Sequence, residues 1–155
     1  MKIRTLSSFQ DAIDHDFAWR LKEIASLKTS VKQSGVLAAP TIIRAGLALL
    51  YAHWEGFIKS GAIAYLEFVS SRGLLYSELQ SCFAVMGMKG ELLTLERSRK
   101  ADGLIAAYEF VKSQGNGKAT FALSSAIDTE SNLSSTVFAN IMHSIGIEKI
   151  GRAHV

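Results

Sequence analysis

The sequence predicts an all-α protein: a helical bundle built on two long antiparallel helices, with shorter helices after them. Three observations carry this. Apolar residues recur at threes and fours through two stretches, Phe9 to Val31 and Ile43 to Phe68, which is the period of an amphipathic helix. Gly35 and Pro40 stand between the stretches, where a short turn reverses the chain. Within the second stretch Ala48, Ala52, Gly56, Ser60 and Ala64 fall four apart, so they stack on one face and let another helix approach closely.

The first helix is expected to begin at a cap on Ser7 or Ser8, with Asp11 in its first turn, where a carboxylate complements the helix dipole. Phe9, Ile13, Phe17, Leu21, Ile24, Leu27 and Val31 form its apolar stripe. Asp14, Asp16, Arg20, Lys22, Glu23 and Lys28 form the opposite face, and Gly35 ends the helix. The second helix spans roughly Ala39 to Ser71, with Pro40 near its start, where the missing N–H costs nothing. Ile43, Leu47, Leu50, Trp54, Phe57 and Ile58 make a broad apolar face, extended by Tyr65 and Phe68. Gly46, Gly56 and Gly61 interrupt it. Each costs up to about 1 kcal/mol relative to Ala, so close helix packing is the expected reason for them. Arg72-Gly73 stops the helix.

The second half is less regular. Leu75 to Val85 reads as a shorter helix or an extended segment, and Glu91 to Arg99 carries no clear assignment. Ala101 to Lys112 reads as a helix, Gly115 to Lys118 as a turn or loop, and Ala119 to Ile127 as a short strand. A cap in Ser131 to Ser135 opens a terminal helix through Val137, Ile141, Met142 and Ile145, stopped by Gly146.

With 155 residues, 48% of them apolar and 20% charged, the chain is expected to form one globular domain with a real core. Residues 1–149 are assigned to that domain. The last six, Ile150-Gly-Arg-Ala-His-Val155, match one reading frame of a common sequencing-adapter oligonucleotide. They are set aside as a cloning or sequencing scar, and the natural gene is expected to continue past Lys149, leaving the domain incomplete at its C-terminus. Arg44, His53, Glu55, Lys59 and Glu67 break every window a membrane span needs. The N-terminus has no signal-peptide pattern, and the single cysteine, Cys82, forms no internal disulfide; both fit a cytoplasmic protein. A net charge of +3 is compatible with nucleic acid without arguing for it.

Several chemical motifs fail on inspection. A phosphate loop ending in Gly117-Lys118 needs a glycine at position 112 and Ser or Thr at 119, and the chain has Lys112 and Ala119. His53-Trp-Glu55 matches the start of a zinc-deaminase signature, whose two further cysteines are absent. Asp14, His15 and Asp16 are adjacent and point in different directions on a helix, so no metal site is expected, and no cofactor. Cys82 lacks a neighbouring His or basic residue in sequence and reads as buried filling more readily than as a nucleophile.

Four residues remain as candidates. Glu55 and Lys59 are four apart with the acid first, the favourable order for a surface pair of a few tenths of a kcal/mol. His53 points about 200° away from Glu55 round the helix. It reads first as a bundle histidine satisfied inside the fold and second as a base. Arg44 lies about 13 Å from His53 along the axis, so any site made by these residues must recruit groups from elsewhere.

The words Arg44-Ala-Gly-Leu-Ala-Leu-Leu-Tyr-Ala-His-Trp-Glu-Gly-Phe-Ile-Lys59, Tyr65-Leu-Glu-Phe-Val69 and Ser131-Asn-Leu-Ser134, with Arg20-Leu-Lys-Glu-Ile24 in the first helix, resemble the HEPN superfamily, and within it the MAE-type HEPN-like nucleases. The resemblance implies an all-α, metal-independent ribonuclease of a toxin–antitoxin or antiphage system, with RNA as substrate, a cognate antitoxin as partner and a homodimer as the assembly. It also implies an Arg-x4–6-His motif, whose His acts as acid or base on the ribose 2′-OH and whose Arg stabilises charge on the phosphate. That motif is absent before Lys149: Arg44 and His53 are separated by eight residues. Arg44, His53, Glu55 and Lys59 are carried over only as supporting residues. The alternative is a noncatalytic dimerisation or RNA-binding module.

Overall fold

The structure, a computed structural model, describes residues 2–113, 116–129 and 132–147. Gly115 of the expected turn, Ser131 of the expected cap and the whole adapter-like tail lie outside the described residues. Helices α1 (Leu6–Gln33) and α2 (Ala39–Ser71) form the frame, and α2 has the extent expected from sequence. They run antiparallel: Ile13 meets Gly61, Arg20 meets Gly56 and Leu27 meets Gly46. A Cβ at Gly46 would lie 2.9 Å from a Leu27 methyl, so this glycine sets how closely the helices approach.

The start of α1 differs from expectation. Its cap is Thr5, whose hydroxyl accepts the Ser8 N–H at 3.1 Å while the Ser8 hydroxyl accepts the Thr5 N–H at 3.0 Å. This reciprocal box satisfies two orphan donors, and it leaves no acid in the first turn. Asp11 therefore has no capping role.

Around the C-terminal half of α2 sits the main core, where Ile58, Ala62 and Leu66 pack with Phe83, Ile127, Leu133, Ile141 and Ile145. Phe83 comes from α3 (Ser81–Gly87), which follows a single 3-10 turn at Tyr76–Glu78. Ile141 comes from α7 (Ser135–Ser144), capped by the Ser134 hydroxyl on the Val137 N–H and followed by Gly146 at φ +73°. Helices α4 (Lys89–Arg97) and α5 (Ala101–Ser113) pair with each other, and Val111 of α5 packs beside Tyr76, Met88 and Ala119. Glu91 to Arg99 thus resolves as helix through Arg97.

The strand expected over Ala119–Ile127 does not form. Leu75 and Lys118 make an isolated antiparallel bridge, and the chain then enters a short helix α6 (Leu123–Ala126). The Tyr76 hydroxyl donates to the Thr120 carbonyl at 3.0 Å and accepts the Thr120 N–H at 3.2 Å. Those are the backbone groups a longer ladder needs. No described helix is long and apolar enough to cross a membrane.

Burial along the hairpin is uneven. In α1 the one buried residue is Arg20, from the face expected to meet solvent, while Phe17 and Leu21 of the apolar stripe are about half exposed. On α2 the apolar face becomes core only from Ile58 onward; Ile43, Leu47, Leu50 and Trp54 stay exposed. The later helices build core on the C-terminal half of α2, and near its middle the Trp54 ring meets Phe138 of α7 at 5.3 Å.

Candidate functional site

A polar cluster occupies the seam between α1 and α2, where an apolar contact was expected. Asp16 and Arg20 sit one turn apart on α1, and the guanidinium binds the carboxylate with two bonds, Nε to Oδ2 at 3.0 Å and Nη2 to Oδ1 at 3.1 Å. Such a fork is the strong geometry for this pair. The Trp19 indole donates to Oδ1 at 3.0 Å and the Ser60 hydroxyl, from α2, to Oδ2 at 2.7 Å. Burial opposes ionisation of Asp16. The hydrogen bonds from Arg20, Ser60 and Trp19, together with the Arg20 charge, outweigh it and hold the carboxyl below its ordinary range.

Arg20 also crosses to α2. Its Nη1 donates to the backbone carbonyl of His53 at 3.1 Å, and its guanidinium carbon lies 4.6 Å from the Trp19 ring centre. This reach requires Gly56, because a Cβ there would stand 2.8 Å from Nη1. Two members of the four-residue row of small side chains, Gly56 and Ser60, thus face Arg20 and Asp16.

His53 lies on the same seam and is buried. Its ring meets Trp19 edge-on at 5.3 Å. Nε2 is 3.1 Å from Oε2 of Glu23, close enough for an ion pair when the ring is protonated, yet off the alignment of a hydrogen bond. This ring therefore faces α1 and away from the remaining candidates.

Glu55 takes a different direction. It accepts a 2.6 Å hydrogen bond from the Thr129 hydroxyl, and one turn earlier the Tyr51 hydroxyl donates to Asn132 at 2.7 Å and accepts the Leu133 N–H. Together they clasp the segment leading into α7. Lys59 is exposed and forms no ion pair with Glu55 among the described residues, so the expected surface pair is replaced by the Thr129 contact. Arg44 is exposed, with Nε donating to the Pro40 carbonyl at 3.2 Å. The four candidates diverge: one faces α1, one faces the α7 approach, and two face solvent.

Asp16, Arg20, Glu23 and Ser60 are the polar residues that sequence reasoning assigned to a solvated face or a smooth row. A signal was present, because a run of small residues on one helix needs a large side chain opposite, and Arg20 is the one that fills it. Chemically the seam is a lock, since every oxygen of Asp16 and three donor groups of Arg20 are engaged within the hairpin. Cys82 is half-buried and lines a separate, mostly apolar cleft of about 630 Å³, to which Lys89 and His143 also contribute. Its sulfur lies 3.9 Å from Gln80 Oε1. Among the described residues no group of three or more His, Cys, Asp or Glu is placed to hold a metal ion.

Comparison with known proteins gives one match. The family model described as RiboL-PSP-HEPN matches residues 15–152, a span that includes most of α1, all of α2, the polar seam and α7. It supports the superfamily and leaves the finer MAE-type subdivision aside. No curated protein and no solved structure matches.

Proposed function

The chain belongs to the HEPN superfamily, in its RiboL-PSP-HEPN family, and from that premise we propose that it is the helical scaffold of a metal-independent endoribonuclease. The setting is a cytoplasmic toxin–antitoxin or antiphage system, and the working unit pairs two copies. In this reading the cleaving Arg-x4–6-His lies in a continuation of the natural chain past Lys149. The observation that supports it is the divergence of Arg44, His53, Glu55 and Lys59, so that these four candidates do not converge on one point as a general acid, base and phosphate-binding cation would. Glu55 and His53 then act by holding the scaffold, through Thr129 and the α1–α2 seam.

The same divergence favours a second reading, a noncatalytic module for dimerisation or RNA binding. Expression of the uninterrupted gene separates the two. The scaffold reading expects the longer protein to cut RNA in the presence of EDTA and to stop when the His of its Arg-x4–6-His is changed to Ala. A longer protein without that motif, or one that binds RNA without cutting it, gives the second reading first place.

A further inference from the structure

The cleft that holds Cys82 opens between α3, the first residue of α4, the end of α6 and the last turn of α7. Its volume of about 630 Å³ falls within the range of pockets that hold small molecules. Cys82, Val85, Met86 and Lys89 are three, one and three residues apart, so the first three share one side of α3 and Lys89 follows a turn later. Phe83 points the other way, into the main core. The floor is thus a strip of thiol, isopropyl and thioether, continued by Ala126 of α6. Val85 is 57% exposed, an apolar side chain that the fold itself leaves uncovered. Met86 can follow the shape of what lies on it, since its chain is unbranched and has three rotatable bonds.

Gly146 forms part of the wall. A Cβ there would stand 2.5 Å from Gln80 Oε1 and 3.3 Å from the Cys82 sulfur, so any side chain at this position closes the space over the thiol. The charge of the cleft is of one sign. Lys89 is a cation and His143 offers an imidazole; both are exposed at the rim, and neither forms an ion pair or hydrogen bond among the described residues. No Asp or Glu is among the described lining residues. A second hollow of about 320 Å³ shares Met86, Lys89 and Ala126 with the first and runs on to Leu93 of α4, again with no acid. Lys89 therefore stands where the two hollows meet.

We propose that this cleft binds a small anionic amphiphile of the alkyl carboxylate class, with its chain on the Cys82, Val85 and Met86 floor and its carboxylate held by Lys89 and His143. The ground is complementarity. The floor offers apolar surface, the rim offers donors for charge-assisted hydrogen bonds, and no lining carboxylate repels the head group. A cation with the same chain finds the same floor but meets Lys89 in place of a counter-charge. The proposal goes beyond RNA cleavage and does not rest on it.

Cys82 is the one cysteine of the chain, so its alkylation by N-ethylmaleimide reports on this cleft in the 155-residue protein. Decanoate is the probe, and decyltrimethylammonium, with a chain of the same length and the opposite charge, is the control. Decanoate is expected to slow alkylation at least about five-fold at saturation, because its chain covers the thiol. Half-protection is expected on the order of 100 µM. Decyltrimethylammonium should need at least about five times more for the same protection. Lys89→Ala with His143→Ala is expected to raise the half-protecting decanoate concentration about ten-fold, and Val85→Glu by at least about as much. All three residues are exposed, so helical circular dichroism should stay unchanged. No protection of Cys82 by about 1 mM decanoate overturns the proposal. So does equal protection by the cationic analogue, or unchanged protection in the folded Lys89→Ala, His143→Ala protein. Each of these results leaves the endoribonuclease reading untouched, since that reading is decided by cleavage alone.

Discussion

Arg20 shows how a charged side chain is kept inside a helical hairpin. It forks onto Asp16, caps the His53 carbonyl and lies against Trp19, so its burial leaves no donor group idle. Arg20→Met should strand the Asp16 carboxylate and lower stability by about 2 kcal/mol, less than the roughly 3–5 kcal/mol for breaking a fully buried pair, because Asp16 keeps Ser60, Trp19 and some solvent. Denaturant titration measures it. The depressed pKa of Asp16 fixes the sign of the acid response. Its contribution is fully present above the ordinary carboxylate pKa of about 3.9 and is lost as pH falls below it through the folded value. Asp16→Asn should therefore flatten the fall in melting temperature on acidification through that window. Gly56→Ala gives a sharper check. Helix propensity alone favours Ala by about 1 kcal/mol, but the new Cβ meets the held guanidinium. It should destabilise the natural chain and stabilise an Arg20→Ala background, a change of sign that only direct contact produces.

At the scale of elements, the extent of α2, the cap and stop of α7 and the antiparallel hairpin were all legible, because periodicity and Gly and Pro punctuation are local signals. Which face of the hairpin is buried was not. That depends on where the later helices settle, and they build core on α2 only from Ile58 onward. The strand expected at Ala119–Ile127 failed for a related reason, since the Tyr76 hydroxyl, distant in sequence, takes the Thr120 backbone groups. The clasp between α2 and the approach to α7 was invisible too, as Glu55 and Thr129 are 74 residues apart. A double-mutant cycle on Glu55→Gln and Thr129→Val should return a coupling of about 1 kcal/mol. Lys59→Ala should stay within about 0.5 kcal/mol of the natural chain, as expected of a solvated side chain.

For the whole molecule, the family word around Ala52-His-Trp-Glu-Gly-Phe57 was the most informative part of the sequence, and the family match over residues 15–152 agrees with it. The word's residues hold the fold together from both sides of α2: His53 and Gly56 face α1, while Glu55 faces the α7 approach. A helix that serves two interfaces at once tolerates little change, which is a structural reason for a recognisable word. The central claim is that this chain is scaffold. The direct test incubates the 155-residue protein, purified and folded by circular dichroism, with labelled RNA in EDTA. The account predicts no cleavage above a protein-free control. Metal-independent cleavage that disappears in a folded His53→Ala or Glu55→Gln variant would contradict it, because it would place the reaction centre on α2.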